Sequence, residues 1–225
     1  MTLSQTMKAR LIERSTVALV LIDVQNDYCH PEGKNALAGF DVSKMVEMTD
    51  RLARVLAAAR SLGMAVVHVQ QTAPEDEMMA PAWQHFIGRR MEAAGKVYGV
   101  DVPVTVVSGT WGHATVDALA PAGEEVVVRK TRSSAFFETA LDEVLRGQGV
   151  ETVLVAGVMS DGCVDSTMRS AVHRDYFVCL VEDGVEGYDP EIVHASLAIS
   201  RHRYDTVRAD EIVELLSAPA TAAPA

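Results

Sequence analysis

Three side chains with complementary chemistry follow apolar runs in the sequence. Asp23 comes directly after Val-Ala-Leu-Val-Leu-Ile, Lys130 follows Glu-Val-Val-Val-Arg, and Cys163 lies a few residues beyond Thr-Val-Leu-Val-Ala-Gly-Val. An ionisable group at the end of a buried strand costs desolvation energy unless it is paired, so three such placements indicate a shared site. A carboxylate, an ammonium and a thiol held together favour nucleophilic catalysis in which the carboxylate accepts the thiol proton.

Cys163 begins a segment whose apolar residues recur at helical spacing. A thiol at a helix N-terminus with a lysine nearby is expected to have a lowered pKa and to favour the thiolate. A lone cysteine is more often a small buried packing residue, and this is the interpretation for Cys29 and Cys179. For Cys163 the neighbouring Asp23 and Lys130 favour a nucleophile instead.

Short runs rich in Val, Ile and Leu alternate with longer stretches of helical spacing, which is the pattern of a βαβα chain. The predicted strands cover residues 17–24, 64–70, 125–129, 152–156 and 176–181, with a last strand near 206–207 before a helix over 210–216. Helical spacing also appears over 45–59 and from Phe137 to Leu145. The predicted fold is α/β, a doubly wound, mostly parallel sheet with helices on both faces. Ligands of such folds bind beyond the carboxyl ends of the strands.

The length of 225 residues predicts a single domain over residues 1–216. Residues 71–113 form a stretch too long for a plain connection, and it contains both tryptophans, Trp83 and Trp111. This stretch is expected to be either a lid or an oligomer contact, with an ordinary helix and loop over the core as the alternative. Residues 217–225 are small residues and proline, which predicts a disordered tail.

The composition excludes several classes of function. A net charge of −11 disfavours binding to nucleic acid or to an anionic membrane surface. No window is apolar enough to span a bilayer, and the three cysteines cannot all pair, so the expected location is the cytoplasm. A nucleotide-binding, flavodoxin-like module is disfavoured because no Gly-x-Gly-x-x-Gly motif follows the first strand.

Three motifs in order carry a family resemblance. They are Leu-Ile-Asp-Val-Gln-Asn-Asp-Tyr from Leu21, Arg-Lys-Thr-Arg-Ser-Ser-Ala-Phe-Phe from Arg129, and Gly-Val-Met-Ser-Asp-Gly-Cys-Val-Asp-Ser-Thr from Gly157. Over roughly residues 17–216 the chain resembles the isochorismatase-like cysteine hydrolases.

That resemblance implies a role for each chemical group. Asp23 is then the general base, Lys130 helps to hold the thiolate and the substrate, and Cys163 is the nucleophile. It further implies a cis peptide between Val158 and Met159, which directs the backbone N–H groups of Met159 and Cys163 at the oxyanion. A homodimer or homotetramer is the expected assembly.

Neither a cofactor nor a catalytic metal is expected. Nicotinamidase-like members place an Asp-x-His motif after the second strand, where this chain reads His68-Val-Gln-Gln-Thr-Ala-Pro. His68 itself lies within a strand pattern, which is typical of a core histidine with a hydrogen-bond partner.

The branch that hydrolyses ureides and carbamoyl amides is the most similar within the family. The predicted substrate is therefore a small ureide or carbamoyl compound, cleaved at a C–N bond through a covalent thioester-type intermediate. Such a substrate needs directed hydrogen bonds and a flat wall, and the residues predicted to contact it are Gln70, Trp111, Arg132, Ser134 and Val158. Gln70 is preferred to Gln71, whose side chain is expected to point to the opposite face.

The sequence leaves alternatives to this substrate and reaction open. Ser200 stands where biuret hydrolases have a substrate-contacting glutamine, which disfavours biuret itself as the substrate. A vinyl-ether hydrolase of the isochorismatase type is a second hypothesis. A third is a thiol redox or ligand sensor that uses the same cysteine without hydrolysis.

Overall fold

The computed structural model describes residues 3–73 and 80–217, and six strands appear in that part of the chain. The strands are β1 (Val17–Ile22), β2 (Ala65–Gln71), β3 (Val126–Lys130), β4 (Thr152–Val158), β5 (Phe177–Glu186) and β6 (Asp205–Val207). The helices are α1 (Gln5–Glu13), α2 (Asn26–Cys29), α3 (Lys34–Ala38), α4 (Ser43–Ser61), α5 (Pro81–Tyr98), α6 (Leu141–Gly147), α7 (Asp165–Val172), α8 (Pro190–Arg203) and α9 (Ala209–Ser217). A π-helical turn, Ser160–Val164, precedes α7.

The strands form one parallel sheet in the order β3-β2-β1-β4-β5-β6. The predicted fold class is therefore confirmed. The direction of winding reverses between β1 and β4, which pair from Val17 opposite Thr152 to Ile22 opposite Gly157. In an open α/β sheet, the crevice at the carboxyl ends of the strands beside this reversal is where ligands bind.

Both faces of the sheet are covered, which explains the nearly continuous apolar runs. Side chains alternate across β1, so Leu19 and Leu21 belong to one buried cluster while Val20 and Ile22 belong to the other. Residues of α1, α4 and α9 complete the first cluster, and residues of α6 and α7 complete the second. Each large apolar side chain buried in this way contributes about 1.5–3 kcal/mol, and together these clusters hold the strand ends in place.

A polar cluster joins the end of α4 to β2 and to the residue that precedes β3. Arg60 contacts both carboxylate oxygens of Glu125, with its Nε 2.7 Å from Oε1 and an Nη 2.8 Å from Oε2. The Nε2 of His68 lies 2.8 Å from the same carboxylate. Hydrogen bonding to Arg60 lowers the pKa of Glu125 to about 2, and burial lowers the pKa of His68. His68 is thus a core residue with a partner, as its strand pattern indicated.

Several predicted boundaries were wrong by a few residues. β5 continues to Glu186, beyond the predicted end at residue 181, and α6 begins at Leu141, so the half-exposed Phe137 lies before the helix. Ser217 is the last residue of α9 and not part of a tail, while residues 218–225 lie outside the described residues. Within 71–113 the structure contains α5, and residues 74–79 of that stretch likewise lie outside the description.

No helix in the described part of the chain is both long enough and apolar enough to cross a bilayer.

Candidate active site

The carboxyl edge of the sheet brings the three predicted side chains together. Asp23 follows the end of β1, Lys130 is the last residue of β3, and Cys163 lies in the π-helical turn after β4. β1 and β4 are neighbours at the reversal of the sheet, whereas β3 is two strands away from β1. The long lysine side chain spans the end of β2 to reach the other two groups.

Lys130 lies at the centre of this cluster. Its Nζ is 2.7 Å from Oδ2 of Asp23, 3.1 Å from Sγ of Cys163 and 2.6 Å from Oε1 of Gln71. The ammonium donates hydrogen bonds to Gln71 and Cys163, and its contact with Asp23 is an ion pair. Asp23 and Lys130 are 1 % and 2 % exposed, which makes this a buried ion pair held against a thiol.

The pKa of the Cys163 thiol is raised in this arrangement, contrary to the sequence prediction of a lowered pKa. Burial and the negative charge of Asp23 raise the pKa of Cys163 to about 12, and the Lys130 ammonium only partly opposes them. The prediction was wrong because it counted the helix end and the lysine but could not count burial beside a carboxylate.

The pKa values of the other two groups also shift upward. Burial raises the pKa of Asp23 against the opposing effect of Lys130. Burial alone would lower the pKa of Lys130, but the adjacent Asp23 carboxylate and Cys163 sulfur raise it overall. The cluster therefore places a buried carboxyl group of increased basicity and a lysine beside a thiol, and a carboxyl group of increased basicity suits the role of a general base.

The backbone between β4 and Cys163 has the cis peptide that the resemblance implied, between Val158 and Met159. The carbonyl of Met159 accepts hydrogen bonds from the N–H groups of Gly162 and Val164, at 3.0 and 3.3 Å, which closes the turn that carries Cys163. Gly157, with φ of 122°, precedes this bond, and a Cβ there would collide with the carbonyl oxygen of Ile22. Glycine thus allows β4 to approach β1 closely beside the cluster.

A cavity of about 630 Å³ opens above Asp23 and Cys163. One wall is α5, which contributes Trp83, Ile87 and Met91, and the remainder is mainly apolar and aromatic. Arg90 also lines the cavity, with its guanidinium 3.8 Å from the carboxylate of Asp161. The volume is in the range of small-molecule sites.

Val158 lines this cavity as predicted, but Gln70 does not. The Gln70 side chain is buried and donates to Oγ1 of Thr115 at 3.1 Å, whereas Gln71 lines the cavity and contacts Lys130. The preference for Gln70 was therefore wrong: β2 runs one residue further than predicted, and its last residue is the one that faces the cluster.

The other three predicted contact residues lie away from the cavity wall. Trp111 is 50 % exposed, with its ring edge on to that of His30. The guanidinium carbon of Arg132 lies 5.0 Å from the ring centroid of Trp83, which lines the cavity, but Arg132 itself does not line it. Ser134 donates to the hydroxyl of Ser170 at 2.8 Å.

Sequence reasoning missed Gln71 and Arg90, as well as Tyr28, which also lines the cavity. Gln71 had a detectable signal, because it follows the same apolar strand as Gln70 and shares its chemistry. No signal in the sequence indicated Arg90, since its position at the cavity depends on how α5 packs over the carboxyl edge of the sheet.

The fold and the cluster together define a class: a doubly wound α/β protein with a thiol, a carboxylate and an ammonium at the reversal of its sheet. The isochorismatase domain model matches residues 17–211, and the chain belongs to that family of hydrolases. The resemblance inferred from the three motifs is thereby confirmed.

Individual relatives show the same relationship. The chain is 34 % identical over 193 residues to the ureidoacrylate amidohydrolase RutB of Methylobacterium radiotolerans, covering 83 % of this chain and 74 % of that protein. It is 30 % identical over 214 residues to the protein of the same name from Agrobacterium fabrum, covering 91 % and 90 %. Among solved structures, an isochorismatase family protein from Desulfovibrio vulgaris is 30 % identical with a TM-score of 0.71, covering 90 % of this chain and 99 % of that one.

Proposed function

We propose that this protein is a cysteine amidohydrolase that cleaves a C–N bond of a small ureide or carbamoyl compound. The observation that carries the proposal is the buried contact of Lys130 with both Asp23 and Cys163 at the floor of the cavity. The names of the relatives at 30–34 % identity, ureidoacrylate amidohydrolases, support the choice of a ureide.

The first half of the reaction forms the covalent intermediate. Asp23 accepts the proton of the Cys163 thiol, and the resulting thiolate attacks the substrate carbonyl carbon. The backbone N–H groups of Met159 and Cys163 stabilise the oxyanion of the tetrahedral intermediate, a contribution of about 3 kcal/mol by analogy with deletion of one such donor. Asp23 then returns the proton to the leaving nitrogen, which departs as ammonia or an amine.

The second half regenerates the enzyme. Asp23, again a carboxylate, accepts a proton from a water molecule that attacks the thioester-type carbonyl. The carbon–sulfur bond breaks, and the sulfur leaves as a thiolate that is reprotonated from Asp23. Lys130 remains an ammonium throughout and offsets the negative charge that moves between Asp23 and Cys163.

The remainder of the substrate contacts the cavity walls in this proposal. Within the stretch over 71–113, α5 covers the site, and Val158 lies beside the reacting carbonyl. The apolar side chains of α5 enclose the reacting atoms and reduce access of bulk water.

The test is ammonia release from a panel of ureides and carbamoyl compounds by the wild type and by Cys163→Ala. We expect the variant to lose more than about 10³-fold in kcat, as observed when a catalytic nucleophile is removed. Cys29→Ala, which changes a buried cysteine outside the cavity lining, is the matched control and retains turnover.

Three results would contradict this proposal. Retained ammonia release by Cys163→Ala would remove the nucleophile from the mechanism. Reversible oxidation of Cys163 with no turnover of any ureide would favour the thiol-sensor alternative. Cleavage of a vinyl ether but of no ureide would favour the isochorismatase-type reaction.

A further inference from the structure

We propose that Gln71 is a positioning residue that holds the Lys130 ammonium between Asp23 and Cys163. Its Oε1 accepts a hydrogen bond of 2.6 Å from Nζ of Lys130, the shortest of the three contacts of that ammonium. The proposal rests on the proposed function in taking Cys163 as the nucleophile.

The chemistry of an amide suits this position. The Lys130 ammonium is buried, and a buried N–H donor without an acceptor carries a desolvation cost. Asp23 forms an ion pair with this ammonium and Cys163 accepts one of its hydrogen bonds, while Gln71 supplies a further acceptor that bears no charge. A carboxylate in its place would compete with Asp23 for the ammonium, whereas an apolar side chain would leave one donor unmatched.

The backbone of Gln71 is fixed independently of its side chain. Oε1 of Gln25 accepts from the Gln71 N–H at 2.9 Å, and Nε2 of Gln25 donates to the Gln71 carbonyl at 2.9 Å. The same Nε2 donates to the carbonyl of His113 at 2.7 Å, and Gln25 is fully buried. Replacing the Gln71 side chain therefore leaves the end of β2 anchored, so the variant is expected to fold.

Gln70 provides a matched control within the same strand. It has the same side chain as Gln71 and is more deeply buried, but it points to the other face, where it contacts Thr115. An effect that arises from general disturbance of β2 would appear in both Gln70→Met and Gln71→Met. An effect that acts through Lys130 would appear in Gln71→Met alone.

The experiment measures alkylation of Cys163 by iodoacetamide between pH 7 and 10, which needs no substrate and so does not depend on which compound the enzyme hydrolyses. We expect Gln71→Met to slow alkylation about 10-fold at each pH, because loss of one hydrogen bond to a charged group weakens the hold on the cation that stabilises the thiolate. Gln70→Met is expected to match the wild type. Cys163→Ala gives the background from other thiols.

Turnover and a double variant complete the test. In the ureide assay, Gln71→Met is expected to lower kcat by a similar factor with little change in KM. In the Lys130→Met background the same substitution is expected to have no further effect on alkylation, because both changes act on one group.

Several outcomes would overturn the proposal. An unchanged alkylation profile with a raised KM would make Gln71 a substrate contact and not a positioning residue. An equal effect of Gln70→Met would indicate general disturbance of the strand. If no ureide is hydrolysed but the alkylation profile shifts as expected, the proposed function fails while the positioning role of Gln71 stands.

Discussion

At the scale of single residues, the main feature of the site is that the pKa of the proposed nucleophile, Cys163, is raised and not lowered. Burial and Asp23 raise the pKa of Cys163, so the carboxylate that opposes ionisation of the thiol is also the group placed to accept its proton. In the proposed mechanism, activation therefore occurs by proton transfer within the cluster when a substrate is bound. This differs from cysteine enzymes in which a helix end and a cation hold a thiolate in the resting state.

This dual role of Asp23 leads to a prediction with opposite effects on two measurements. Asp23→Asn removes the general base, so hydrolysis is expected to fall by at least about 10²-fold. The same change removes the negative charge that raises the pKa of Cys163, so iodoacetamide is expected to alkylate the thiol faster at pH 8.

Asp161→Asn is the matched control for this experiment, since Asp161 is a partly exposed carboxylate two residues from Cys163 that also lines the cavity. It is expected to leave the alkylation rate unchanged. Slower alkylation in Asp23→Asn would contradict the assignment of Asp23 as the group that raises the thiol pKa.

At the scale of helices and strands, the sequence predicted what apolar patterning determines and missed what depends on contacts between elements. The strands and the positions of Asp23, Lys130 and Cys163 were predictable, because buried parallel strands are apolar runs and their polar ends converge. The choice between Gln70 and Gln71 was not, because it depends on where β2 ends by a single residue. The raised pKa of the Cys163 thiol was not predictable either, because it depends on burial and on how close Asp23 lies in three dimensions.

The cluster of Arg60, Glu125 and His68 predicts a pH-dependent contribution to stability. The pKa of Glu125 is about 2 in the folded protein and 4.5 in its ordinary state, so its contribution is present above pH 4.5 and is lost as the pH falls towards 2. We expect Glu125→Gln to lower the free energy of unfolding by about 1–3 kcal/mol at pH 7, the range for hydrogen bonds to charged groups.

Urea denaturation at pH 7 and at pH 3 measures this difference. The destabilisation is expected to be smaller at pH 3, where the wild type has lost part of the contribution. Glu124→Gln, at the exposed neighbouring position, is the control and should unfold like the wild type at both values. A destabilisation that is independent of pH would show that charge on Glu125 is not its source.

At the scale of the whole molecule, the floor of the site and the wall formed by α5 differ in how deeply their side chains are buried. The floor consists of strand ends fixed by two buried clusters, whereas α5 has no fully buried side chain and presents apolar residues to the cavity. Under the proposed function, the sheet edge carries out the chemistry and α5 contacts the remainder of the substrate. Sequence patterning could not reveal this division, because the apolar side of α5 faces a cavity instead of the core.

A charged side chain introduced on α5 tests whether this helix contacts the substrate without taking part in the chemical step. Ile87→Asp is expected to raise KM about 10-fold with a smaller change in kcat, because the carboxylate disfavours an apolar contact without touching the reacting groups. Ile199→Asp, at a half-exposed position on α8 outside the cavity lining, is the matched control and should have the KM of the wild type. A loss of about 10-fold in kcat with no change in KM would indicate instead that Ile87 affects the chemical step.

The pairing of β1 with β4 has a consequence for how quickly the enzyme acquires activity. This pairing joins Val17 to Thr152, so the chain between them must be organised before Asp23 and Cys163 meet. Contacts between residues so far apart in sequence form slowly, because the entropy of closing the loop is lost before the contact stabilises the chain. After dilution from denaturant, the helical circular dichroism signal is expected to return before hydrolytic activity. Return of both signals with one rate constant would contradict this order. If activity returns after the helical signal, as expected, catalysis serves as a reporter for the last step of folding at the centre of the sheet.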